Sequence, residues 1–210
     1  MANPLVLVPT AGDQRVSTLA LVLLGRRNSG KSSAGNTIFG GRVFEAGEKT
    51  RHCVQRHGWI SGVRLTVVDT PGWSSFGLAN ATLVRQEILR SVKLCLPRPQ
   101  AFLLVIPVDA FSNRDCKAVE EHMSLLGYMW NRTVVLFTWA DELRGKSIEE
   151  HVKKRGKHLQ KILEKCGYRY HVLNNETRDE HQVRQLLEIV KETRLTAKLE
   201  LSSHRQRFYY

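Results

Sequence analysis

Continuous apolar runs alternate along the chain with stretches in which apolar positions recur every three or four residues. The first run, Thr18–Leu24, ends at Gly25, and unbroken runs of this kind belong to parallel strands buried on both faces. Residues 52–60, the pair Ser61-Gly62 and then Val63–Asp69 read as two strands about a two-residue turn, because glycine accepts the positive φ that tight hairpins require. Further runs at 101–108, 133–139 and 168–173 are separated by segments of helical period at 115–126, 147–165 and 181–198. Strands separated by helices need crossover connections. The pattern predicts an α/β fold: a doubly wound, mostly parallel sheet of about six strands with one antiparallel strand, helices on both faces, and ligands bound beyond the carboxyl ends of the strands.

Length and composition narrow this picture. At 210 residues, and with about 150 residues per domain as a guide, the chain is expected to hold one domain over residues 18–200. An N-terminal arm (1–17) and a polar, aromatic-ended C-terminal tail (201–210) flank it. No apolar run approaches the ~20 residues needed to cross a bilayer, so no transmembrane segment is expected, and peripheral contact with a membrane stays open. Residues 1–17 lack the basic, apolar and small-residue order of a secretory signal. Cys53, Cys95, Cys116 and Cys166 are scattered without C-x-x-C spacing, which points to reduced thiols and a cytoplasmic location.

The net charge of +12 raises the question of a polyanionic partner. Many of the basic residues fall between Arg144 and Arg169, however, on a stretch whose apolar positions Ile148, Val152, Leu159, Ile162 and Leu163 keep helical spacing. This reads as the solvated face of an amphipathic helix, and no nucleic-acid partner is expected.

The chemistry begins where the first strand ends. Gly25-Arg26-Arg27-Asn28-Ser29-Gly30-Lys31-Ser32 fits G-x-x-x-x-G-K-[ST] without deviation. The glycines let the backbone curl around phosphates, so that successive N–H groups and the positive end of the following helix, Lys31–Phe39, face the anion. Lys31 adds a full charge, the Ser32 hydroxyl is a hard oxygen ligand for Mg²⁺, and Ser33 follows within reach. By composition alone such a match arises in about one chain in a hundred of this length, and its place between an apolar strand and a helix makes chance less credible still.

Asp69-Thr70-Pro71-Gly72 closes the strand Val63–Asp69. A D-x-x-G at a strand end senses a γ-phosphate: Asp69 through a metal-bound water, Gly72 through its N–H. Thr50, in the polar connection before, can reach the metal when that loop closes. The candidate metal ligands are therefore Ser32, Thr50 and Asp69. Thr138-Trp139-Ala140-Asp141 follows the strand at 133–137, where Asp141 can accept from guanine N1–H and N2–H₂, a pattern adenine does not present. Trp139 has a face to stack on the base or to pack beside it. Asn174, with Asn175 next to it, ends the last strand and carries amide groups for guanine O6.

These residues resemble the GTPases of immunity-associated proteins, the avirulence-induced-gene type, over about residues 18–198. The carriers are the phosphate loop with Ser33-Ala34-Gly35-Asn36-Thr37-Ile38-Phe39-Gly40, the Asp69-Thr70-Pro71-Gly72-Trp73 stretch, residues 102–138 with Val108-Asp109-Ala110-Phe111-Ser112, and Cys166-Gly167-Tyr168-Arg169-Tyr170-His171-Val172-Leu173-Asn174-Asn175. The resemblance implies a septin-like P-loop G domain that binds GTP and GDP with Mg²⁺. It further implies a nucleotide-dependent homodimer or oligomer across the nucleotide face, and a role in immune-cell survival or intracellular defence.

Fast hydrolysis needs a group that orients water and one that neutralises developing charge. Trp73 follows Gly72, and an apolar ring positions no water. Where some members of the family carry an arginine that acts across the dimer, the matching residue is Ala110, and Arg114 is the nearby alternative. No catalytic residue is assigned. Two readings remain in front, a slow GTPase acting as a switch and a nucleotide-locked assembly module without turnover, with an ATP-using P-loop kinase as the third.

Overall fold

The computed structural model describes residues 18–74, 81–108, 111–127, 129–177 and 179–206. The N-terminal arm expected at 1–17 and the last four residues of the tail lie outside these, as do Asp109 and Ala110. Six strands form one sheet in the order β2-β3-β1-β4-β5-β6: β1 (Thr18–Leu24), β2 (Val54–Ile60), β3 (Val63–Asp69), β4 (Ala101–Pro107), β5 (Thr133–Thr138) and β6 (Tyr170–Val172). Among the described residues only the β2–β3 pairing is antiparallel, running from Val54 opposite Asp69 to Ile60 opposite Val63. Ser61 and Gly62 make the turn at φ 49° and 75°. The doubly wound, mostly parallel sheet expected from the apolar pattern is the fold observed.

β1 lies at the centre and shows why its sequence is unbroken. Ala20, Val22 and Leu24 enter one core, with residues of α2 (Ala81–Leu94), α3 (Asn113–Ser124), α4 (Ile148–Arg155) and α5 (Lys157–Lys165). Leu19, Leu21 and Leu23 enter the other, with α1 (Lys31–Phe39) and α6 (Glu180–Gln206). A strand buried on both faces has no polar alternation to show. Beside β1 the chain reverses its direction of build: β3 stands on one side and β4 on the other, leaving a crevice at their carboxyl ends.

Three departures go beyond a shift of one or two residues at an element's end. The helical stretch at 147–165 is two helices, because Gly156 takes φ 83° and ψ −170° between α4 and α5, values outside the helical region. α6 begins one residue early and continues to Gln206, into the stretch that reads as a polar tail. α2 was not expected at all. Its inward positions are Val84, Glu87, Ile88 and Ser91, and a carboxylate and a hydroxyl on that face weaken the apolar stripe by which a helix is recognised.

Candidate nucleotide-binding site

The loop from Gly25 to Ser32 joins β1 to α1 at the crevice. Gly30 caps α1 at φ 84° without any side-chain cap, which leaves the first-turn N–H groups free to face an anion. Gly25 has no room for a side chain: a Cβ there would stand 2.6 Å from the Val105 carbonyl oxygen and 2.8 Å from Ser29 Oγ. Asn28 adopts φ 57°, a left-handed conformation that asparagine tolerates better than most residues. Arg26 forms an isolated parallel bridge to Trp73, and the Arg27 N–H donates to the Trp73 carbonyl at 2.8 Å. The loop is thus stitched to the segment that follows Gly72.

Lys31 is only 6% exposed, and its ammonium donates to the Arg26 carbonyl at 2.8 Å. Burial lowers its pKa to about 8 against the pull of Asp69, with Arg26 lowering it further. A buried ammonium held by one carbonyl is a charge awaiting a stronger partner.

Ser32, Thr50 and Asp69 come together although 37 residues separate the first from the last. Ser32 Oγ donates to Asp69 Oδ2 at 2.6 Å, Thr50 Oγ1 to the same oxygen at 3.3 Å, and the two hydroxyls stand 3.5 Å apart. Asp69 Oδ1 is buried and makes no hydrogen bond of good geometry. Desolvation raises the Asp69 pKa, opposed by the Ser32 hydrogen bond, the Lys31 charge, the Thr50 hydroxyl and the Thr70 backbone. Three hard oxygens with an unsatisfied carboxylate oxygen among them suit Mg²⁺, which takes oxygen ligands and few from the protein. The residues present therefore fit the ion.

Two further contacts position these groups. Thr70 Oγ1 donates to the Leu23 carbonyl at 2.6 Å, tying the turn after Asp69 to the end of β1; a threonine inside D-x-x-G carries no sign of this in sequence. Gly72 sits so close that a Cβ would meet Arg27 N at 2.7 Å and Lys31 Nζ at 2.8 Å, which brings its backbone beside the phosphate loop. Trp73 is 2% exposed and stacks on His122, with ring centroids 4.7 Å apart and planes 13° apart. Its indole faces the interior of the protein.

The base-facing candidates are arranged less uniformly. Thr138 is buried and donates from Oγ1 to the Ser29 carbonyl at 2.7 Å, so the end of β5 supports the phosphate loop. Trp139 is half exposed at φ 62° and caps a 3₁₀ turn, Ala140–Leu143, that presents Asp141 to solvent. Asn174 turns its carboxamide to its own loop, where Oδ1 accepts from the Glu176 N–H at 2.9 Å. Asn175 is the member of the pair that reaches the phosphate-loop helix: its Oδ1 accepts from Thr37 at 2.9 Å, and its Nδ2 is 3.4 Å from where a Gly30 Cβ would stand. Ser33, whose carbonyl accepts from Thr37, lines a cleft of about 550 Å³ along the outer side of α1, which it shares with Asn175, Trp59 and Val183. That cleft adjoins the phosphate loop rather than covering it.

A rat (Rattus norvegicus) relative, GTPase IMAP family member 8, is 34% identical over 188 residues, which is 85% of this chain and 27% of the rat protein; the chain thus spans about a quarter of that relative's length. Immune-associated nucleotide-binding protein 1 of Arabidopsis thaliana is 28% identical over 199 residues, 87% of each chain. Among solved structures, Toc33 of Arabidopsis thaliana in complex with GDP and Mg²⁺ superposes with a TM-score of 0.63 at 22% identity, covering 85% of both chains. The fold is that of P-loop GTPase G domains, and since the AIG1 family model matches residues 19–207, the chain belongs to the AIG1 family.

Proposed function

We propose that residues 18–200 form a G domain that binds GTP and GDP with Mg²⁺ and works as a slow switch controlling homotypic assembly. The observation that carries this reading is the meeting of Ser32, Thr50 and Asp69 beside the buried ammonium of Lys31. In the proposed complex, Lys31 and the amides from Arg26 to Ser33 hold the polyphosphate. Ser32 and Thr50 offer hydroxyl oxygens to the metal, and Asp69 faces it through water. Bound there, Mg²⁺ neutralises phosphate charge. Thr138 keeps the loop in shape, Asp141 accepts from the guanine edge, and Trp139 covers the base. For the O6 side Asn175 is the better-placed amide, with Asn174 holding the turn.

The relatives' names and the Toc33 complex with GDP and Mg²⁺ support guanine nucleotide, and the relatives' immune-associated naming supports a role in defence. No helix among the described residues is long and apolar enough to cross a membrane. We place the protein in the cytoplasm, with peripheral membrane contact left open. Burial of Trp73 against His122 favours very low turnover, because no side chain directly after Gly72 faces an attacking water. A nucleotide-locked scaffold is therefore the second reading.

Calorimetric titration with GDP, GTP and ATP in the presence of Mg²⁺ tests the nucleotide. Tight guanine binding lost in Lys31→Ala is the expected outcome; equal competition by ATP, or retained micromolar affinity in the variant, overturns it. Phosphate release under multiple turnover at high protein concentration separates the switch from the scaffold.

A further inference from the structure

α2 carries a carboxylate that nothing in the nucleotide site uses. Glu87 is 6% exposed on the inward face of the helix, between Val84 and Ile88. Burying a charge costs several kcal/mol unless donors surround it, so the identity of its donors is informative. The Cys53 N–H donates to Oε2 at 2.5 Å, His52 Nδ1 lies 3.4 Å from Oε1, and Arg90 of the same helix reaches both oxygens at 3.3 and 3.5 Å. Cys53 returns a second contact, its thiol donating to the Glu87 carbonyl at 3.1 Å. Two of the three partners of the carboxylate thus come from the loop that bears Thr50.

The register explains why this loop needs an anchor. The β2–β3 ladder stops at Val54 opposite Asp69, so Cys53 is the first residue beyond it, and Glu87 accepts its amide. Thr50 is three residues further back, at most about 10 Å of extended chain. Fixing Cys53 therefore confines the Thr50 hydroxyl to the neighbourhood of Asp69, where it is found at 3.3 Å. In the other direction, Glu87 belongs to the helix that follows Gly72. Withdrawing the loop strips the buried carboxylate of Cys53 and His52 and leaves it only Arg90 of its own helix, and a buried group that loses donors is penalised more than the bond itself is worth. Loop and helix are consequently bound into one unit.

We infer that Glu87 is a positioning residue that latches the Thr50 loop to α2, so that the two segments on either side of the γ-phosphate order and release together. The inference rests on the Mg²⁺–nucleotide reading above. In switch GTPases these two segments are ordered by contacts that only the triphosphate supplies, so the latch should favour GTP over GDP.

The test compares Glu87→Ala, Glu87→Gln and Thr50→Ala with the unaltered chain, using fluorescent GDP and a non-hydrolysable GTP analogue at saturating Mg²⁺. Loss of a charged hydrogen-bonding group is expected to weaken analogue binding roughly tenfold in Glu87→Ala, with GDP binding within about twofold. Glu87→Gln, which keeps an acceptor for the Cys53 N–H, should recover part of that loss. A purely structural role lowers both affinities together and leaves their ratio unchanged, which overturns the latch. An unchanged ratio in Glu87→Ala while Thr50→Ala shifts it also overturns the latch and spares the metal reading; an unchanged ratio in Thr50→Ala overturns both. Should Glu87→Ala fail to fold, the near-isosteric Glu87→Gln decides, since the latch requires its analogue-to-GDP ratio to fall short of the unaltered chain's.

Discussion

Ser32 Oγ donates to Asp69 Oδ2 at 2.6 Å, while Oδ1 of the same carboxylate is buried with no hydrogen bond of good geometry. A hydroxyl that donates to a carboxylate keeps its lone pairs for another electrophile. The half-satisfied carboxylate behind it is poorly stable as a buried anion, as its raised pKa indicates. A divalent cation meets both needs at once. Ser32→Ala should therefore weaken Mg²⁺-dependent retention of GDP by at least about tenfold, the scale on which even outer-shell metal partners act. GDP dissociation with and without EDTA measures it: the variant should release nucleotide at nearly the same rate in both, and a chelator effect as large as in the unaltered chain would exclude Ser32 as a ligand.

Acid should act on the protein through the ring stacked beneath Trp73. Burial lowers the pKa of His122, against the Ala118 carbonyl that Nδ1 contacts at 2.7 Å and the Glu121 charge, with Arg85 lowering it further. The folded state therefore stays neutral at a pH where the unfolded chain, near 6.5, has begun to take up a proton. The unfolded state binds more protons in that window, so stability is full above about pH 6.5 and declines as pH falls from there through the folded value. Urea melts at pH 7.5 and 5.5 should show the loss. His122→Phe, which keeps an aromatic face for Trp73, should lessen it without abolishing it, because burial lowers His151 and His171 as well. Identical acid sensitivity in the variant would remove His122 from this account.

Much of this architecture was legible because the relevant signals are local. β1 and β3 are buried runs with hard boundaries, and the phosphate loop imposes its own glycine spacing, so the first strand and first helix could be read to the residue. The sequence was silent where the decisive contact is tertiary. Glu87 looks like a solvated residue until Cys53 is seen to donate to it, and that is also why α2 escaped notice. Asn174 and Asn175 are chemically identical neighbours. Which of them faces the phosphate-loop helix depends on a turn in which Asn174 Oδ1 takes the Glu176 N–H, leaving Asn175 to meet Thr37. Gly156 offers no sign in sequence of whether it will continue a helix or break it, and its positive φ breaks it.

Gly72 tests how tightly the two halves of the site must close. A methyl group at this position would press on backbone atoms of Arg27 at 2.7 and 2.8 Å as well as on the Lys31 amine, and backbone cannot swing aside as a side-chain end can. Gly72→Ala should cost about 1–3 kcal/mol through overpacking and hold the turn after Asp69 away from the phosphate loop. Thermal melting of the nucleotide-free protein gives the first effect. Binding of a non-hydrolysable GTP analogue gives the second, with a larger loss than for GDP because in the proposed complex only the triphosphate reaches towards the Gly72 N–H. A variant as stable as the unaltered chain would mean that the loop relaxes freely at this contact.

In the proposed complex, base selection depends on a single exposed carboxylate. Asp141 sits on a 3₁₀ turn whose approach is set by Trp139 at φ 62° and whose exit is set by Arg144 at φ 49°, so the turn's course is held by backbone conformation at both ends rather than by burial. A carboxylate accepts two hydrogen bonds from guanine N1–H and the exocyclic amine, whereas an asparagine amide offers one acceptor and one donor. Asp141→Asn replaces one of those acceptors with a donor that faces the guanine amine, and the same donor finds an acceptor in xanthine, which carries an oxygen in place of that amine. A site built to pair such groups rejects the mismatched partner strongly, because the polar atoms are left unpaired on both sides. The variant should therefore bind XDP more tightly than GDP, reversing the preference of the unaltered chain. Thermal shifts with GDP, XDP and ADP measured side by side provide the check: retention of the GDP preference in Asp141→Asn would transfer base recognition to other residues at the ends of β5 and β6.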